Sequence, residues 1–165
     1  MKKLTGKGIK ILKTAHLFFA FMWLGGGVSL LLLLLTTSPQ ESHELYMRSL
    51  ALKLIDDWLI IPSAVCAFLT GIIYGVWTNW GFFKHRWLLV KWIINILLML
   101  IGTFLLGTWV NSNVYPVEDI SKYTLDNETF FYNVSQTIIW ASIQIFALFI
   151  VVIISVFKPW KVQKK

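Results

Sequence analysis

The sequence predicts an all-α polytopic membrane protein, a four-transmembrane-helix bundle with an additional outer interfacial helix. Three observations predict it. The chain is 57% hydrophobic with 14% charged residues, too apolar for a soluble domain, which needs a polar face for every apolar one. Four long blocks, about 14–35, 58–83, 87–109 and 131–157, are almost free of charge, and each matches the roughly 20 residues that cross a hydrocarbon core. The basic residues gather on one side of these blocks. At 165 residues the chain is a single integral membrane domain, 1–165.

Residues 1–13 carry Lys2, Lys3, Lys7, Lys10 and Lys13, and no charge follows from Thr14 to Leu35. That run reaches ~33 Å at the helical rise, enough to cross the bilayer. It is too long for the apolar region of a signal peptide, and Thr36-Thr37-Ser38-Pro39 is a poor cleavage site, so it reads as an uncleaved first span. A helix start follows, with Ser38 as N-cap, Pro39 at the first helical position and Glu41 closing a capping box. Glu44 and Arg48, and then Lys53 and Asp57, stand at i,i+4 and support a helix at the water boundary. It is expected to run directly into the second span, where Pro62 predicts a bend or a break.

Gly71-Ile-Ile-Tyr-Gly75 is a GxxxG pattern, which permits close helix approach. The short basic turn Lys84-His85-Arg86 makes spans two and three antiparallel neighbours. The third span carries Lys91 and Asn95 near its start. Residues 111–128 form a polar, acidic loop, and the fourth span stops at Lys158-Pro159.

Charge placement predicts orientation. With both termini in the cytoplasm, the inner segments hold the N-terminal lysines, Lys84, Arg86, Lys91, Lys158, Lys161, Lys164 and Lys165, against only Arg48, Lys53 and Lys122 outside. All eight acidic residues also fall outside. The net charge of +7 is therefore a topology signal directed at lipid headgroups, and nucleic acid is not an expected partner. A single cysteine, Cys66, rules out an intrachain disulfide.

Helical periodicity aligns His16, Phe19, Ala20, Trp23 and Gly27 in the first span. It aligns Ser63, Cys66, Ala67, Thr70, Tyr74 and Trp77 in the second, Lys91, Asn95, Leu98 and Gly102 in the third, and Thr137, Gln144 and Val151 in the fourth. Polar groups in hydrocarbon need partners inside the bundle, so these stripes face inward. His16 lies ~4.5 Å inside the first span and Lys91 ~6 Å inside the third, so both fall in the inner leaflet.

The pair supports a haem or porphyrin site. His16 serves as iron ligand, Lys91 or Arg86 lies near a propionate, and Trp23 lines the pocket. The bland alternatives are a His16 hydrogen bond to a backbone carbonyl or hydroxyl, and a snorkelling Lys91. A second class is metal or ion transport, motivated by Asp56 and Asp57 leading to Ser63, Thr70 and Lys91. A third is a non-catalytic partner subunit or homo-oligomer, motivated by the GxxxG pattern and Gly25–Gly27, although such glycines more often serve packing. Asn127 and Asn133 fit the glycosylation pattern. No local metal or nucleophile motif is present.

The run Lys13-x-x-His16, then Trp23-Leu-Gly-Gly-Gly27, Ile61-Pro62, Leu69-Thr70-Gly71 and Trp87-Leu-Leu-Val-Lys91-Trp92, resembles a large bacterial group of small four-span membrane proteins. Within that group it looks like an uncharacterised family of predicted integral membrane proteins. It is more distantly similar to the copper-resistance D-type proteins and the HemJ-type protoporphyrinogen oxidases. The HemJ-type pattern maps onto His16, Trp23, Gly25, Arg48, Pro62, Gly71 and Lys91, and in that family the His and Lys are tied to haem binding and porphyrinogen oxidation. Trp92-Ile-Ile-Asn95 stands here in place of that family's aromatic-His element. The resemblance implies a location in the bacterial cytoplasmic membrane.

Overall fold

The computed structural model describes residues 4–78, 85–114, 123 and 127–159. Every described element is helical: α1 (Gly6–Thr36), α2 (Ser42–Ile55), a first π turn (Asp56–Ile60), α3 (Ile61–Trp77), α4 (Arg86–Ile101), a second π turn (Gly102–Leu106), α5 (Gly107–Ser112) and α6 (Glu128–Phe157). With the π turns counted as parts of continuous helices, four rods are long and apolar enough to cross a membrane. We call the end holding the start of α1 and the finish of α6 proximal, and the other end distal.

The lateral surface is lipid-like. Phe18, Phe21, Phe104, Phe146 and Phe149 all point outward. The inward stripe of α6 runs Phe130, Asn133, Thr137, Ala141, Gln144, Leu148, Val151 and Ile154, which is the helical period. α1 packs on α3, the first π turn and α6, while α4 and α5 pack on α6. Trp23, Ala64, Ala67, Leu98 and Leu148 form an apolar plug near the middle of the bundle. A second cluster of Leu30, Leu34, Leu52, Val110 and Ala141 lies distal to it. Leu45, Tyr123 and Phe130 cap the distal end.

Several expectations need correction. α2 begins at Ser42 with Glu41 in the N-cap position, so Ser38 and Pro39 precede the helix. The reach-back is made one turn later, by Glu44 Oε2 accepting from the Gln40 N–H at 2.7 Å. Glu44 makes no ion pair with Arg48. The Lys53–Asp57 pair does form, at 2.8 Å.

α2 runs straight into the second span, as expected, but the join is a π turn rather than a break. The Ile61 N–H bonds back five residues to the Asp56 carbonyl. Pro62, which lacks an N–H, sits just beyond at the start of α3 and favours such a local rearrangement. α3 ends at Trp77, short of the expected 83, and residues 79–84 lie outside the described set, as does most of the loop 115–126.

Spans two and three approach through large side chains, with the Phe68 and Trp92 rings 5.3 Å apart, and not by close backbone packing. The GxxxG helix α3 does pack closely on α1, and the missing Cβ of Gly71 faces His16 Cε1 there and the Trp92 ring of α4. A tighter approach is at Gly26. A Cβ there would stand 2.9 Å from Ile60 Cγ1 and 3.2 Å from Leu59. Asn133 is buried and bonds Asn113, and the Asn127 side chain caps α6 by accepting from the Phe130 N–H, so both amides have structural roles.

Candidate functional site

Two polar regions lie on either side of the central plug. The distal one is a cavity of about 550 Å³ between α1, the first π turn and α3, the α4–α5 rod and α6. Trp23, Gly27 and Leu30 form its α1 wall. Its polar lining comprises Asp56, Thr103, Thr108, Asn111, Ser112, Thr137 and Gln144. Both π turns border it, and π turns widen a helix by one residue and recur at functional sites.

The first π turn carries Asp56, which is 8% exposed. Among the described residues no hydrogen bond or ion pair reaches its carboxylate, while nearby Lys53 pairs with Asp57 and donates to the Asn111 side-chain oxygen Oδ1. A buried carboxylate without a partner is costly. Its neighbours offer oxygen atoms. Thr108 and Thr137 donate their hydroxyl protons back to their own helices, at 3.0 Å to the Phe104 carbonyl and 2.8 Å to the Asn133 carbonyl. Their oxygens keep lone pairs for a guest.

The second π turn had no expectation in the sequence. Its only signal is the five-residue spacing of Gly102 and Gly107, which matches the i→i−5 bond from the Gly107 N–H to the Gly102 carbonyl. A Cβ on Gly107 would stand 3.2 Å from that carbonyl oxygen, so glycine leaves room for it. Gln144 reaches across from α6 and donates to the Leu98 carbonyl at 2.8 Å, tying the rods together where the turn begins.

The proximal region is built around His16. Its Nδ1 lies 3.1 Å from the Ala67 carbonyl and 2.9 Å from Thr70 Oγ1. A carbonyl only accepts, so Nδ1 carries the proton, and the neutral ring presents its lone pair at Nε2. Thr70 in turn donates to the Cys66 or Ala67 carbonyl. The Tyr74 ring meets His16 edge-on at 6.0 Å. Gly71 makes room for the seat, since its open side faces His16 Cε1.

Lys91 lies within electrostatic range of the imidazole. Trp23 sits two turns further along α1 and lines the distal cavity, while Arg86 is exposed at the first position of α4. The structure therefore brings His16 and Lys91 together and leaves Trp23 and Arg86 apart from them. Asp57 is half-exposed and paired, while Ser63 is buried and donates to the Ile60 carbonyl at 3.0 Å. Among the described residues no three His, Cys, Asp or Glu side chains gather as metal ligands.

Residues 10–159 match the family described as Predicted integral membrane protein (DUF2269), and the chain belongs to that family. No curated protein and no solved structure matches it.

Proposed function

We propose that the protein binds a small cation in the distal cavity and hands it across the bundle, with Asp56 as the charged group that receives it. The observation that carries this reading is the buried Asp56 carboxylate, which lies on a π turn, borders a cavity of about 550 Å³ and, among the described residues, makes no ion pair or hydrogen bond. An ionisable group within a membrane bundle is retained for function more often than for stability. One carboxylate, hydroxyl and amide oxygens, apolar walls and the Trp23 ring suit an organic ammonium or a hydrated monovalent ion. They suit a dehydrated divalent metal poorly, since that demands several anionic ligands. In the bacterial cytoplasmic membrane with both termini inside, the cavity faces outward. The plug of Trp23, Ala64, Ala67, Leu98 and Leu148 closes the path beyond it.

The test is equilibrium binding of tetraphenylphosphonium, sodium and manganese to the purified full chain. Asp56→Asn is expected to weaken binding of the preferred cation about tenfold or more, as loss of a charged partner does. Glu128→Gln should leave it unchanged, because Glu128 is exposed and does not line the cavity. Binding of all three probes that ignores Asp56→Asn overturns the reading.

A second reading has its own observation. The Ala67 carbonyl fixes the His16 proton on Nδ1, and that is how protein-bound metal ligands of the imidazole class are oriented for coordination through Nε2. His16 would hold a haem iron through Nε2, with Lys91 as the nearby cation for a propionate. Trp23 and Arg86 do not join them. A bound haem would supply one-electron chemistry at that seat. Protein purified from haem-replete cells should then show a Soret band that His16→Ala abolishes, and a colourless protein rejects this reading.

A further inference from the structure

We propose that Arg48, on α2, holds a phosphate oxyanion at the distal boundary of the bundle, through the fork formed by its Nε and Nη2. Arg48 is 9% exposed, and both of these nitrogens are buried without a hydrogen-bond partner. Its third nitrogen, Nη1, donates a long bond of 3.4 Å to the Thr37 carbonyl. A guanidinium stays charged at any ordinary pH, so burial does not neutralise it. Buried polar groups are nearly always paired, and unpaired charged donors carry the largest penalty.

Two polar neighbours on α2 leave that charge unanswered and make their bonds elsewhere. Glu44, one turn earlier on the same helix, is held by the Gln40 N–H. Ser49 Oγ donates to the Leu45 carbonyl at 2.9 Å. Among the described residues no acidic side chain forms an ion pair with Arg48.

The orphaned atoms identify the ligand chemistry. Nε and Nη2 lie on one edge of the planar guanidinium and point two parallel N–H bonds the same way. That edge matches two oxygens of one oxyanion. Depth then selects phosphate. Arg48 is level with Thr37, the residue at which α1 ends, so it stands where a span leaves the hydrocarbon and lipid phosphates lie. The chain beside it, from Thr37 to Glu41, is not helical. This site is separate from the cavity at Asp56 and does not depend on the cation reading.

The test uses the full-length chain, delipidated in detergent. Short-chain phosphatidylglycerol, inorganic phosphate and a phosphate-free galactolipid of equal chain length are titrated separately. Melting temperature and lipid adducts in native mass spectrometry are the readouts. Phosphatidylglycerol is expected to raise the melting temperature and to outcompete the galactolipid. Arg48→Lys, which keeps the charge and loses the fork, is expected to weaken that binding about tenfold or more. Inorganic phosphate producing the same Arg48-dependent shift supports the fork and identifies a soluble anion as its source. If the galactolipid binds as well as phosphatidylglycerol, or Arg48→Lys binds like the wild type, the proposal is overturned. If Arg48→Lys does not fold, the lipid competition on the wild-type chain decides alone.

Discussion

Gly26→Ala tests whether the first π turn is seated against α1. The added methyl would lie 2.9 Å from Ile60 Cγ1 and 3.2 Å from Leu59 Cγ and Cδ2. Leu59 Cγ and Ile60 Cγ1 are each bonded to Cβ and so lie close to the backbone of the π turn, and the clash is relieved only by moving the turn or α1. Overpacking of this kind costs about 1–3 kcal/mol. Against it stands the helix preference of Ala over Gly, about 1 kcal/mol. The net expectation is a destabilisation of roughly 0–2 kcal/mol.

Gly25→Ala supplies the internal reference. Nothing lies within 4 Å of its added methyl, so only the gain of about 1 kcal/mol operates. The two neighbouring substitutions should therefore differ by about 1–3 kcal/mol. Reversible unfolding in mixed micelles, followed by far-ultraviolet circular dichroism, measures the difference. Gly26→Ala should also disturb cation binding at Asp56, since the clash bears on the same turn. Equal stability of the two variants refutes the packing argument.

Other outcomes follow from particular contacts. Asn133→Ala removes the 2.8 Å bond to Asn113 Oδ1 inside the distal core, and should cost about 1–3 kcal/mol in the same assay. Leu45→Ala empties a fully buried position at the distal cap and should cost about 2–5 kcal/mol. Gln144→Leu should cost no more than about 1.5 kcal/mol, because the Leu98 carbonyl still accepts from the Gly102 N–H, but it should alter cation binding in the cavity. A fluorescent reporter fused to the C-terminus and a periplasmic reporter placed after Gln40 should both be active in bacteria. The opposite pattern reverses the orientation drawn from the lysines.

The four rods were legible from composition and charge, because hydrocarbon admits few alternatives to a helix that satisfies its own backbone. Periodicity also placed Trp23, Ala67, Thr137 and Gln144 on inward faces, and they are inward. The basic clusters carried an orientation, a property of the chain's charge alone.

Contacts between rods were a different matter. The i,i+4 rule is satisfied by Lys53–Asp57 and not by Glu44–Arg48, where Glu44 accepts from the Gln40 N–H and Arg48 Nε and Nη2 stay unpartnered. Depth matching set His16 and Lys91 in one layer, and Lys91 lies within electrostatic range of the imidazole, yet it did not separate Trp23, which stands in the plug. Pro62 signalled an irregularity but not its form. Whether a helix kinks, breaks or widens to a π turn depends on what packs beside it, and here Gly26 of α1 admits Leu59 and Ile60. The second π turn, the cavity it borders and the isolation of Arg48 arise from side chains far apart in the chain. The sequence alone therefore determined a four-span membrane bundle and its polar faces, since local hydropathy and charge suffice for that. Only the tertiary structure decided which buried charges lack partners, because a missing partner is a property of the space around a group.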